Sequence, residues 1–194
     1  MTLINIEKKE MKTSYVFLAD GFEEVEALTS VDVMRRAGMP VVTVSMNPGL
    51  EVTGAHGVKV LADSLWEDND YSDAEWLALP GGIPGAPNLA AHEALCAVLK
   101  AQHGRGGKVA AICASPAVVL EPLGIIDDRD AVCYPGMEVL TGSVKWGDTP
   151  VAVDGNVVTG NGPAAAAAFA LTIVEQSLGH DCAAQVAGGM LLDY

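Results

Sequence analysis

The sequence predicts a single α/β domain built on a doubly wound, mostly parallel sheet. Short apolar runs alternate with stretches of helical length, as parallel βαβ units require. One run, Lys108 to Ile112, is apolar enough for a central strand covered on both faces. The chain has 194 residues, half of them hydrophobic, which suffices for one sizeable core.

The elements follow in order. Residues 1–10 stand apart as a leader, and the domain is taken as 11–194. Tyr15 to Ala19 reads as the first strand, followed by a helix to about Ala37 and a strand over Val41 to Val44. Trp76 to Pro80 is the next strand. A helix over about Asn88 to Gln102 leads through a Gly-rich turn into Lys108 to Ile112, which ends at Cys113. A short helix to Leu123 and a strand near Ala131 to Tyr134 come next. Val151 to Val153 turns at Asp154-Gly155 into Val157 to Thr159 as a hairpin. Pro163 opens the last long helix, whose start at Ala164 to Ala168 suits close packing, because alanine loses no side-chain entropy in a helix.

Composition excludes several functions. The formal charge is -14, from 25 acidic and 11 basic residues, so the summed field repels phosphate backbones and anionic lipid, and no nucleic-acid partner is expected. Met1 to Lys12 lacks the apolar stretch and cleavage site of a secretory signal, which predicts a cytoplasmic protein. The longest apolar run, Ala164 to Val174, falls short of the ~18 residues that a membrane span needs. Cys96, Cys113, Cys133 and Cys182 form no C-x-x-C pair and no cluster with histidine, which argues against a zinc site and for free thiols. No metal and no cofactor are expected.

Three segments carry candidate chemistry. Val109-Ala110-Ala111-Ile112-Cys113-Ala114-Ser115-Pro116 delivers a nucleophile from a buried strand into a helix start. Small neighbours suit such a strained turn, and the N–H groups of the following helix favour a thiolate. A buried, inert core cysteine is the alternative on this pattern alone, since alanines replace the glycines of the general elbow. In Asp20-Gly21-Phe22-Glu23-Glu24-Val25-Glu26, a strand end meets a helix, and helical spacing aligns Glu26 with Phe22 and Val33. A carboxyl among apolar neighbours is pushed toward its neutral form and can donate a hydrogen bond to a thiolate. Glu23 and Glu24 read instead as solvated helix-start residues favoured by the dipole. Leu79-Pro80-Gly81-Gly82-Ile83-Pro84-Gly85 lies at a strand's C-terminal end, where parallel sheets place ligand crevices; backbone N–H groups of Gly82 and Ala114 are candidate oxyanion donors. The segment matches no phosphate-binding fingerprint. None of the histidines, at positions 56, 92, 103 and 180, is near Cys113 in sequence.

Together these segments resemble the ThiJ/PfpI superfamily, in the branch that includes the parkinsonism-associated deglycase. The match spans nearly all of Met11 to Gly179, carried by the motif from Asp20 to Glu26, Val33-Met34-Arg35-Arg36-Ala37-Gly38, Pro80-Gly81-Gly82, Ala111-Ile112-Cys113-Ala114 and Gly162-Pro163. The resemblance implies a flavodoxin-like fold, a homodimer, a reactive Cys113, a protonated Glu26 bonded to it, and backbone donors at Gly82 and Ala114. Glu23, Gly81, Tyr134 and His56 are then expected to line the site. It also implies glyoxalase or deglycase activity on a small aldehyde substrate or a glycated protein. Two positions depart from the pattern. Tyr134 stands where the branch often has a histidine, which weakens a Cys-His mechanism. His56 stands where relatives typically have an arginine approaching the partner subunit's site, and a weaker, pH-dependent version of that contact is expected of it.

The leading expectation is an enzyme in which the Cys113 thiolate adds to a 2-oxoaldehyde or its early adduct and Glu26 shuttles the proton during rearrangement to a hydroxy acid. A redox sensor or holdase using an oxidisable Cys113 is the alternative. An intracellular cysteine peptidase ranks lower, because Ala114 stands where that branch has histidine directly after its cysteine.

Overall fold

A computed structural model describes residues 11–138 and 142–193. The leader read at residues 1–10 lies outside them. Strand β1 (Ser14–Leu18) is followed by α1 (Glu24–Arg36), β2 (Val41–Ser45), a small hairpin of β3 (Glu51–Thr53) and β4 (Lys59–Leu61), and β5 (Ser64–Leu65). Next come β6 (Trp76–Leu79), α2 (Gly85–Ala90), α3 (Glu93–Gly104) and β7 (Lys108–Ile112). The C-terminal part holds β8 (Asp130–Ala131), β9 (Lys145–Trp146), β10 (Val151–Asp154), β11 (Val157–Gly160), α4 (Ala166–Leu178) and α5 (His180–Gly189).

The main sheet has the order β10-β11-β7-β6-β1-β2-β5 and is parallel except for edge strand β10. From β1 the chain winds outward to β2, whereas from β6 it winds the opposite way to β7. The reversal between β1 and β6 leaves a crevice at their C-terminal ends, the usual ligand position in doubly wound sheets.

Strand alternation divides the core. Val16 and Leu18 of β1 pack with Ala27, Val33 and Met34 of α1 and with Phe169 and Ile173 of α4. Tyr15 and Phe17 point to the other face and join Leu77, Leu79, Leu95 and Leu99. Both faces of the sheet are therefore covered, as the apolar central strands predict.

Several elements differ from expectation. The helix read over Asn88 to Gln102 is two, α2 and α3, separated at Ala91-His92. His92 caps α3, its Nδ1 accepting the Leu95 N–H at 3.1 Å, a role that propensity does not assign to histidine. The strand near Ala131 to Tyr134 shrinks to the two residues of β8, because the Val132 N–H donates to Oγ1 of Thr159 and the Tyr134 N–H to the carbonyl of Cys113. The short helix to Leu123 is a π-type turn over Pro116–Leu120 followed by irregular turns. Pro163 opens a 3-10 turn that leads into α4, and α4 is not the last helix. Gly179, at φ 88°, ends it, and α5 follows.

Candidate active site

β7 delivers Cys113 to the crevice in an unusual backbone conformation, with φ at +64°. For a residue with a side chain, the left-handed region costs about 1–2 kcal/mol. The conformation is pinned on both sides: the Cys113 N–H donates to the Gly160 carbonyl at 2.8 Å, and its own carbonyl accepts the Tyr134 N–H at 2.8 Å. Ser115 adds a third tie, its buried hydroxyl donating to the Pro80 carbonyl at 2.6 Å. The strained strand-to-helix turn expected from the sequence is thus present.

Glu26 sits in the first turn of α1 and is 0% exposed. Glu23, the N-cap, accepts the Glu26 N–H through Oε2 at 2.7 Å. The Glu26 carboxyl accepts the Gly81 N–H through Oε2 at 2.8 Å, while Oε1 is buried without a hydrogen-bond partner. The carboxyl also interacts with the Cys113 thiol. Burial raises the Glu26 pKa to about 7, with the Glu23 charge adding to the rise against the Gly81 and Cys113 hydrogen bonds. The neutral tendency read from the apolar stripe is present.

The thiol itself behaves differently from the sequence expectation. Burial and then the Glu26 carboxylate push Cys113 up to about 12, against the smaller pull of the Gly82 and Ala114 N–H groups that point at the sulfur. The N–H donors are where the sequence placed them, but they do not outweigh desolvation. Above about pH 7 the pair therefore holds one proton, mainly on sulfur, and a thiolate arises as that proton passes to Glu26.

Glu23 and Glu24 are buried rather than solvated. For Glu24 the reason is the β3–β4 hairpin, which sequence periodicity did not reveal and whose turn lies over the start of α1. Gly54 permits this approach, since a Cβ there would overlap the Glu24 carboxyl. Glu24 holds His56 twice: Oε1 accepts the backbone N–H at 2.7 Å and Oε2 pairs with Nδ1 at 2.7 Å. Burial alone would raise Glu24, but the hydrogen bonds from His56 outweigh it and hold the carboxyl below its usual range. The same bond, then the charge of Glu24, raises His56 above its usual value.

A cleft of about 540 Å³ opens over Cys113, lined by Glu23, His56, Gly82, Ala114, Tyr134 and Met137 among others. Glu26 is not part of its wall. It lies on the protein side of the sulfur, with Gly81 packed against both. Tyr134 is half exposed at the rim. Among the described residues His56 is the one histidine in the cleft wall.

Glu23, Glu24 and His56 also bring ligand-type atoms within 4.8 Å of one another, the one such group among the described residues. Both oxygens of Glu24 already accept N–H groups of His56, and the positive end of the α1 dipole disfavours a cation there. The cluster is better suited to positioning the imidazole than to holding a metal.

Comparison with known proteins agrees with this architecture. The DJ-1/PfpI family profile matches residues 12–176. The chain is 40% identical over 185 residues to the Parkinson disease protein 7 homolog of Danio rerio, covering 93% of this chain and 97% of that protein. It is 37% identical to Protein DJ-1 homolog B of Arabidopsis thaliana, but spans only 40% of that longer protein. The glutathione-independent glyoxalase DJR-1.2 of Caenorhabditis elegans is 34% identical over 154 residues, covering 79% of this chain and 81% of that protein. The crystal structure of Drosophila melanogaster DJ-1beta superposes with a TM-score of 0.90 at 34% identity, over 95% of this chain and 100% of that one.

Proposed function

Because the chain belongs to the DJ-1/PfpI family, we propose that it is a cofactor-independent, Cys113-dependent glyoxalase or deglycase, acting on 2-oxoaldehydes or their early adducts with proteins. The single observation that carries the reading is the strained Cys113 turn backed by the buried Glu26 carboxyl, with an open cleft above the sulfur. The name of the Caenorhabditis elegans relative supports the same chemistry.

In the proposed reaction the Cys113 sulfur bonds to the aldehyde carbon as its proton passes to Glu26, and the alkoxide left when the carbonyl π bond breaks takes a proton from water in the open cleft to become the hydroxyl of a hemithioacetal. Glu26 returns its proton to sulfur when the thiol is released. The N–H groups of Gly82 and Ala114 stabilise negative charge on sulfur or oxygen during the addition. The hydrogen on that carbon then moves as a proton to the neighbouring carbonyl carbon by way of an enediol, while the neighbouring oxygen takes up a proton from water and the first carbon's hydroxyl gives one back as its carbonyl forms. The aldehyde carbon is oxidised by two electrons and its neighbour reduced by two, so no external oxidant enters. The resulting thioester is hydrolysed by one water, releasing a 2-hydroxy acid and regenerating the thiol. Glu26 handles the thiol proton, and its burial behind sulfur keeps it from the carbon-bound one.

Association of two copies is part of the proposal. Val25 and Leu28 on α1 and Val58 and Leu61 on the hairpin expose large apolar side chains on two elements joined by the Glu24 to His56 contacts. A cytoplasmic location is also part of the proposal. No helix among the described residues is long and apolar enough to cross a membrane.

The test is lactate production from methylglyoxal by the purified protein. Activity should vanish in Cys113→Ala, and activity unaltered in that variant would overturn the reading.

A further inference from the structure

The proposed reaction leaves one task unassigned: a group on the open side of sulfur must take the carbon-bound proton and return it one carbon away. Glu26 is 0% exposed, is tied to the Gly81 N–H at 2.8 Å and forms no part of the cleft wall. Tyr134 lines the cleft, but a phenol O–H is a hydrogen-bond donor and a poor acceptor of a carbon-bound proton.

His56 lies on the open side of the sulfur, in the cleft wall. It lines the same cleft as Cys113, with its side chain 72% exposed. Its Nδ1 lies 2.7 Å from Oε2 of Glu24, and its backbone N–H donates to Oε1 of the same carboxyl at 2.7 Å. A carboxylate accepts only, so in the neutral imidazole Nδ1 carries the proton and Nε2 keeps the lone pair. Glu24 is buried and held in its ionised form, so the ring is oriented by a fixed anion, as a carboxylate orients the imidazole of a catalytic triad. The charged groups acting on the ring are Glu24 and Glu23 from α1, and Cys113 and Tyr134 line the same cleft.

Resting on the reading above, we infer that His56 is the acid-base residue of the cleft: Nε2 removes the proton from the sulfur-bearing carbon of the hemithioacetal and delivers it to the adjacent carbon. Glu24 is its positioning residue. The ring begins and ends neutral, so the transfer is balanced within the substrate. The base sits on the hairpin rather than beside the cysteine, which accounts for a tyrosine at position 134.

The experiment measures methylglyoxal turnover for the wild type, Cys113→Ala, His56→Ala and Glu24→Gln. General acid-base residues contribute roughly 10²–10⁴-fold. His56→Ala should therefore lose about a hundredfold or more in kcat with KM little changed, and added imidazole should restore turnover in proportion to its concentration. In Glu24→Gln the His56 pKa falls, so the pH at which turnover reaches half its plateau moves down. A His56→Ala enzyme within about twofold of the wild type, or one whose loss imidazole does not reverse, overturns the inference while leaving a Cys113-dependent reaction standing. Turnover that survives in Cys113→Ala, or is absent from the wild type, overturns both. Because the side chain is exposed, folding of His56→Ala is expected to match the wild type, and circular dichroism confirms it.

Discussion

A Cβ placed on Gly81 would lie 2.6 Å from the Cβ of Cys113 and 2.9 Å from Oε2 of Glu26. The backbone at the end of β6 is thus packed against both the thiol and the carboxyl that shares its proton. Gly81→Ala forces these groups apart. Overpacking of this kind costs about 1–3 kcal/mol, and Cys113-dependent turnover should fall with it. Urea denaturation and a lactate assay on the one variant check both, and an unchanged midpoint with full activity would mean that the contact yields freely.

Glu26 makes the fold sensitive to pH. Its folded pKa of about 7 exceeds the ordinary 4.5, so its contribution to stability is fully present below 4.5 and is lost as pH rises through about 7. The shift corresponds to ~3 kcal/mol. Glu26→Gln should flatten this part of the stability profile, measured by denaturant unfolding at pH 4.5, 6 and 8. A profile that keeps its slope in the variant would assign the effect elsewhere.

The thiol should respond to the same substitution. Desolvation does most to raise Cys113 toward about 12, and the negative charge of Glu26 comes next, so Glu26→Gln should lower the thiol pKa. Thiolate absorbance or the pH dependence of iodoacetamide alkylation reads this directly. Mild peroxide followed by mass spectrometry extends the comparison to redox chemistry. Cys113 is the cysteine in the cleft wall, so oxidation falling first on Cys96 or Cys182 would count against a sensing role.

The Glu24 to His56 pair titrates in opposite senses. His56 is raised, so its contribution is present below the ordinary histidine value and lost as pH rises through the higher folded one. Glu24 is lowered, so its contribution is present above the ordinary carboxylate value and lost as pH falls through the lower folded one. A histidine NMR titration should place His56 above its usual value in the wild type and lower in Glu24→Gln. Equal values in the two proteins would deny the contact.

Ser115→Ala should destabilise by about 1–3 kcal/mol, because it removes a buried hydrogen bond and leaves the Pro80 carbonyl short of a donor. With the tie between the ends of β6 and β7 gone, turnover should fall as well. Thermal unfolding and the lactate assay report on the two effects separately.

Much of this was legible in the chain itself. Alternation of apolar runs predicts the doubly wound sheet, since each buried strand must satisfy the period of two on two covered faces. The small residues after Ile112 predict the turn that holds Cys113, and the alignment of Glu26 with Phe22 and Val33 predicts a buried carboxyl. Other features were not legible because they depend on partners distant in sequence. The split between α2 and α3 rests on a histidine cap that no propensity encodes. Val132 and Tyr134 leave the strand pattern because their N–H groups find Thr159 and Cys113.

The sequence by itself determined the sheet, the Cys113 turn and the burial of Glu26, because local spacing sets which side of an element a residue faces. Tertiary structure decided the rest. It placed Gly81 against both the thiol and the carboxyl, raised the thiol instead of lowering it, and brought His56 to Glu24 over 32 positions of chain. Desolvation and long-range hydrogen bonds depend on how whole elements pack, and that packing is set by the entire core rather than by any one stretch of residues.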